Sequence, residues 1–470
     1  MTFFEILAQF VVDTAPSSIA ADVLSAATES FVDTVGVMFA GRDEPITRIV
    51  LSLLENRASN GSWLVTGGGA APAEAAFVNA TAAHAIDFDD ATTIDLSGHV
   101  SAILVPVALA VGQAQHCPGR DALAAYALGY EIEMAIAKIL NPWHFDRGFH
   151  PSATIGVFGA TAVTARLFGA TIGETSTAFA IAASLASGIK ANFGTMTKPL
   201  QVARAAQNGL LAVALAKAGQ TANPAAFEDR LGFANAYAGP DWPQLIPTAV
   251  AGLGNPWALA DPGVDLRKLW PVCGSVVTTI EASIEIHNMS EFDASRIGSV
   301  VVGIHARRVP QVDRAHPLTG QDARYSAQYA AAVSLLRGEP TGDDFRDEAL
   351  DDQKILTLLG KTRLVADRVQ TSRTKALDGH DLGARVSVRM VDGSVHDVVV
   401  DDPIGSPRNP ASPERLRNKF LSATVPVVGI DAAVQLHDAL VSLVGSPDLA
   451  ALPGLQFDSS AFDNVQLGDA

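Results

Sequence analysis

Apolar residues recur through the first half of the chain at helical spacing. Ile19, Val23, Ala27, Phe31, Val35 and Phe39 form an unbroken string four residues apart, which predicts a helix capped by Ser17 or Ser18 and closed by Gly41. Similar stretches predict helices over 45–56, 72–86, 101–115, 119–140, 151–168, 173–188 and 199–218. Several carry few charges on any face, as from Ala122 to Leu140, and helices of that kind sit inside a bundle or between subunits. After about residue 262 the pattern changes. Ser299 to Ile304 reads as a strand, and Ala384 to Val400 alternates on both sides of Asp392-Gly393, a hairpin signal. Helices are expected at about 274–289, 322–337 and 346–359, and again at 412–423 and 430–444.

The expected fold class is mainly α. An all-helical domain is built from both chain ends, 1–262 and 406–446, with an inserted α+β domain, 263–405, and an aperiodic tail, 447–470. The length of 470 residues agrees with two domains rather than one core. At 48% hydrophobic and 18% charged, the chain has ample apolar surface to bury, which argues against disorder.

Charge narrows the partners. A formal net charge of −17 argues against nucleic acid or an anionic membrane, and any anionic substrate must be drawn in by a local basic cluster. The two cysteines, Cys117 and Cys273, make neither a disulfide framework nor a C-x-x-C pair; a reducing, cytoplasmic location is expected. The first 13 residues hold Glu5 and no Lys or Arg, so no signal peptide is expected. The most membrane-like stretch, Val100 to Gly112, is too short for a hydrocarbon layer of about 30 Å and reads as a core helix.

Five segments carry candidate chemistry. His84-Ala-Ile-Asp87-Phe-Asp89-Asp90 follows a predicted helix, where carboxylates face the negative end of the dipole. The alternatives are a solvated acidic loop or a divalent-cation site, although the Gly and distal Glu of a calcium loop are absent. His99 and His150 each end a loop just before an apolar helix, where imidazole suits acid/base work, although a lone histidine there is more often a capping or core residue. Lys198, beside Thr197 and Pro199, opens the helix that runs to about Lys217, and a lysine at a helix N-terminus makes electrostatic sense beside a bound anion such as a carboxylate. Lys268 and Cys273 lie where the second domain begins, so Lys268 can reach into an interdomain cleft; Cys273 is a weak nucleophile candidate and better read as buried filler. No Walker A, GxGxxG, GxSxG or HExxH motif is present.

Taken together, NATAAHAIDFDD, GHVSAILVP, GFHPSATIGVFGATA, FGTMTKPLQVARAAQNG and KLWPVC resemble successive signatures of the MmgE/PrpD family over about residues 15–335, more weakly beyond. The resemblance implies a helical domain with an α+β lid, a homodimer, and action on a small polycarboxylate without metal or organic cofactor. Dehydratases, cis-aconitate decarboxylases and iminodisuccinate epimerases occur in it. It places the family's active-site aspartate at Asp87, its histidines at His99 and His150, and its lysines at Lys198 and Lys268. Cys273 stands where decarboxylase members carry histidine, the Pro310-Gln311-Val312 region where they carry tyrosine, and Gln201 where a histidine is common.

The expectation is therefore a lyase, dehydratase-type first, with an epimerase or decarboxylase as alternatives. Lys198, Lys268, Thr197, Cys273 and helix N–H groups would surround the substrate; His99 and His150 would exchange protons, with Asp87 orienting one of them. A non-catalytic carboxylate-binding relative is the rival from another class, and a metal-dependent hydrolase a distant third.

Overall fold

Ser101–Ala114 is the innermost helix, with every residue from Ser101 to Gln113 buried, as a stretch with no charged residue requires. Around it pack the helices Pro72–His84, Gly119–Leu140, Gly156–Leu167 and Thr197–Lys217. Small residues set their spacing: a Cβ on Gly209 would stand 2.7 Å from the backbone of Ala160, so only glycine admits that approach. The computed structural model describes residues 1–54, 61–373 and 381–455. Among these, the helical core unites residues from Phe3 to Val264 with Phe420 to Leu455. A second core, mostly from Leu266 to Val398, lies around a four-stranded sheet.

That sheet runs Thr362–Ala366, Ile297–Ile304, Ala384–Met390, Val395–Val400, with the first pair parallel and the others antiparallel. Ala384, Val386, Val388 and Met390 are buried and their neighbours are not, as the alternation predicts. The helices Gly274–His287 and Ala327–Arg337 pack against it. Ala91 exchanges two backbone hydrogen bonds with Leu266 (2.8 and 3.1 Å), and the carboxylate of Asp265 accepts from the N–H of Thr93 and Ile94, so the two cores are stitched together beside the acidic loop.

Several elements depart from expectation. The long N-terminal helix is Ala21–Gly41, with Ala20 at its cap, because Pro16–Ser18 turns as a separate 3-10 segment and takes Ser17 and Ser18 out of capping position. It is long and apolar enough to cross a membrane, but 67% of its most apolar window is buried inside the protein, and its Asp33 pairs with Lys419 at 2.6 Å. A helix at Phe3–Asp13 was not expected, although Thr2 and Glu5 form a capping box that is legible in the sequence. The helix expected over 151–168 breaks at Ile155, where Phe158 N–H turns to the Ile155 carbonyl. The one expected over 322–337 breaks into Gly320–Ala323 and Ala327–Arg337, because the Ser326 hydroxyl caps the second piece. The segment 346–359 begins as a 3-10 turn and becomes helical at Gln353, and the strand Thr362–Ala366, too mixed in pattern to predict, follows it. The start of the expected tail is core: Leu449, Leu452 and Leu455 are buried, and Gln113 donates to the Leu455 carbonyl. Residues 55–56 and 456–470 of the expected elements lie outside the described residues.

Candidate active site

The five chemistry-bearing segments converge where the two cores meet. Asp87, His99, His150 and Lys198 line one side of a cavity, and Cys273, Ser275, Arg308 and Gln311 line the other. The helix Pro72–His84 ends with His84, and the chain then turns through Asp87 in the left-handed region (φ 55°), a conformation aspartate tolerates better than most residues. That turn sends the Asp87 side chain to two ammonium groups: Lys198 Nζ lies 3.1 Å from Oδ2, and Lys268 Nζ pairs with Oδ1 and also donates to the Asp87 carbonyl at 2.8 Å. The break before Ala327 brings in Tyr325, whose hydroxyl donates to Oδ2 at 2.5 Å. Burial pushes the Asp87 carboxyl up, but Lys198 and Lys268 overcome it and hold the group well below the usual carboxylate range.

Asp89 plays a separate part. It accepts from Nδ1 of His84 (3.0 Å) and lies 2.9 Å from Nδ1 of His99, which also faces the Asp90 carbonyl at 2.9 Å. Acceptors on Nδ1 leave Nε2 of His99 facing the Asp87 carboxylate at 3.6 Å. Both carboxylates therefore bear on His99: Asp89 lies against Nδ1, and Asp87, which also faces the two lysines and Tyr325, lies opposite Nε2. Against burial, which raises it, His84 and His99 hold Asp89 well below the usual range.

His150 precedes the turn Pro151–Thr154 and is buried. Gln201 orients it. The Gln201 amide donates to the Ile189 carbonyl at 3.1 Å, so its oxygen accepts from Nδ1–H of His150 at 2.8 Å. Nε2 is left as a lone pair without a partner among the described residues. Burial, then the charge of Lys198, pushes the His150 pKa well below 6.5, so the ring is neutral at neutral pH. Gly188 makes this fit possible: with φ at 148°, a Cβ there would stand 2.7 Å from Ala153 and 3.1 Å from the Gln201 oxygen. The rings of His84 and His99 meet edge to face at 4.5 Å, and His84 stacks against His150 at 6.3 Å, so the two sequence-predicted histidines do share one site.

Three other expected contacts do not form. Lys268 is fully buried behind Asp87 and does not line the cavity, so it supports the aspartate rather than reaching a substrate. Thr197 is half-buried and also lies off the cavity. The helix start there offers little to an anion, since Thr197 and Lys198 N–H donate to Thr195 and Pro199 has none. Cys273 does line the cavity, with its sulfur accepting from Gln311 at 3.1 Å. Sequence reasoning did not single out Tyr325, Arg308 or Ser152, whose neighbours in sequence carry no common motif, and named Gln311 only within the Pro310-Gln311-Val312 region; Asp89 and His84 were visible in the acidic segment but without distinct roles.

His84, Asp87, Asp89 and His99 each offer a ligand atom, all within 4.8 Å of one another, a spacing a divalent cation can use. The donor set fits such an ion poorly: both Asp87 oxygens already face ammonium groups, and Asp89 accepts from two imidazoles. A second positive centre there would have to displace Lys198 and Lys268.

A helical body joined to an α+β unit, with a buried His/Asp/Lys cluster lining a cavity between them, has the make-up of an enzyme site. The chain belongs to the MmgE/PrpD family: residues 5–245 match its N-terminal domain and residues 270–442 its C-terminal domain. Among curated proteins, the cis-aconitate decarboxylase of Homo sapiens is 28% identical over 446 residues, covering 92% of this chain and 90% of that protein. The cis-aconitate decarboxylase of Aspergillus terreus is 26% identical, covering 93% and 92%. The 2-methylcitrate dehydratase of Salmonella typhimurium is 30% identical over 139 residues, 28% of this chain and 29% of its own. These relatives are lyases, and the chain is an enzyme of their family.

Proposed function

We propose that this protein is a cofactor-independent lyase that moves a proton at the carbon next to a carboxylate of a small di- or tricarboxylate, with dehydration as its first expected reaction. The observation that carries this reading is the unpartnered Nε2 of neutral His150, held in the same cavity as Lys198 and His99. His150 takes the proton from carbon. Lys198 stabilises the enolate-like charge that develops on the adjacent carboxylate. His99, between Asp89 and Asp87, delivers a proton to the departing hydroxyl as the carbon–oxygen bond breaks. Lys268 and Tyr325 keep Asp87 ionised and in place.

Decarboxylation is the second reading, favoured by the relatives that match over nine-tenths of both chains, all cis-aconitate decarboxylases or named as similar to them. There an imidazole need only protonate the carbanion left by carbon dioxide. The same two rings on opposite faces of a substrate would serve an epimerase.

Proton NMR in heavy water tests the proposal, with the protein incubated separately with 2-methylcitrate, cis-aconitate, iminodisuccinate and simpler dicarboxylates. Loss of an α-proton signal is expected, and the product names the reaction: an alkene, a decarboxylated acid or an inverted centre. Lys198→Ala is expected to abolish the exchange in a folded protein. Retention of near-normal exchange by that variant removes the proposed charge-stabilising role.

A further inference from the structure

The cavity has a second cationic end, away from the His/Asp/Lys cluster. Arg308, only 5% exposed, borders it beside Gly274 and Ser275, the first residues of the 14-residue helix Gly274–His287. The guanidinium is anchored through Nη2 to Asp381 at 2.5 Å, which leaves Nε without a partner among the described residues. Cys273, at the helix cap, lines the same cavity. Phe145, another wall of the cavity, gathers two further cations: Lys190 Nζ lies 3.3 Å from its ring centre and the Arg307 guanidinium 5.1 Å. Arg307 pairs with Asp146 and Asp381, and nearby Asp265 is engaged by Thr93 and Ile94. Lys190 has no carboxylate within 4.0 Å among the described residues and bonds instead to the Phe145 carbonyl. A buried arginine with a free donor and the start of a helix line one part of a cavity, and Lys190 lies behind its Phe145 wall, in a chain of net charge −17.

We propose that Arg308, with the first turn of the helix Gly274–His287 and the field of Lys190, forms a subsite for a second carboxylate of the substrate. This rests on the lyase reading above and adds where the substrate's carboxylates are held, one processed at Lys198 and another clamped at Arg308. A monocarboxylate then binds at the Lys198 end alone.

Calorimetric titration of the full chain with two unreactive probes, tricarballylate and propionate, tests this. Arg308→Lys keeps a charge for Asp381 but loses the forked donor, and is expected to weaken tricarballylate about tenfold while propionate affinity stays within about twofold. Lys190→Met, on a half-buried side chain, is expected to weaken tricarballylate about threefold, with the same indifference to propionate. Equal losses for both probes, unchanged tricarballylate binding in both variants, or no tricarballylate binding by the unaltered protein would overturn the subsite. The lyase reading is judged separately by α-proton exchange. Arg308-dependent tricarballylate binding without exchange on any substrate leaves the subsite standing and removes the reaction. Exchange with Arg308-independent binding does the reverse.

Discussion

Nδ1 of His150 donates to the side-chain oxygen of Gln201 across 2.8 Å, and that bond decides which face of the imidazole meets the cavity. With Nδ1–H spent on an amide, Nε2 is the basic atom, and the neutral amide favours the charged ring less than burial and Lys198 oppose it. Gln201→Glu replaces the amide by a carboxylate, which raises the His150 pKa from its depressed position. The ring then stays protonated to higher pH. The acidic limb of the pH–kcat/KM profile is expected to move upward, and activity at pH 7 to fall by about tenfold or more. A profile whose acidic limb does not move counts against His150 as the base.

His150→Gln is expected to lower kcat by about 10²–10⁴-fold with the thermal midpoint little changed, since a side-chain amide can keep the bond to Gln201 while the basic Nε2 is lost. Cys273→Ser, by contrast, is expected to retain turnover, because the sulfur only accepts a bond from Gln311. Steady-state kinetics of the pair separate proton transfer from thiol chemistry, and loss of activity in the serine variant would reinstate the cysteine.

Tyr325→Phe removes the hydroxyl that donates to Asp87 from a buried position. A hydrogen bond to a charged group contributes about 1.5–3 kcal/mol, so a lower denaturant midpoint is expected together with a drop in kcat, as Asp87 loses one of its restraints. Chemical denaturation and turnover of the same preparation give the answer; a stability loss without any change in kcat would confine Tyr325 to the fold.

Glu133 is fully buried on the helix Gly119–Leu140, with neither carboxylate oxygen hydrogen-bonded among the described residues, and burial alone pushes its pKa well above 4.5. The folded protein therefore holds Glu133 protonated where the unfolded chain does not. Its contribution is fully present below pH 4.5 and is lost as pH rises toward the folded value. Glu133→Gln has no proton to take up. The gain in thermal midpoint on that substitution is expected to be small near pH 4.5 and to grow toward pH 8, at about 1 °C per kcal/mol in a chain of this size. A gain that is flat across that range would show that Glu133 is not the protonated group.

Exhaustive dialysis against a chelator is expected to leave turnover and the thermal midpoint unchanged, since Lys198 and Lys268 already neutralise Asp87. Activity that falls on chelation and returns with a divalent cation would make the His84, Asp87, Asp89, His99 set a metal site.

Much of this molecule was readable in one dimension. The i+4 string from Ile19 to Phe39, the uncharged run of Ser101–Ala114 and the alternation around Asp392-Gly393 each record a single burial period, and each became the predicted element. Asp87, His99, His150 and Lys198 were also legible, because a charge at the wrong end of a helix, or an imidazole where a loop meets an apolar helix, is locally unexplained. Tertiary structure decided what each one does. Asp87 and Lys268 are 181 residues apart, and only the closure of the two cores turns an expected substrate ligand into a prop behind the aspartate. Likewise His99 meets Asp89 at Nδ1 and Asp87 at Nε2 because the chain turns through the left-handed region at Asp87, and Tyr325 arrives only through a helix break. Periodicity reports whether a residue is inside, since burial acts along each element independently. Which polar groups meet there depends on contacts between distant segments, and no local pattern encodes those.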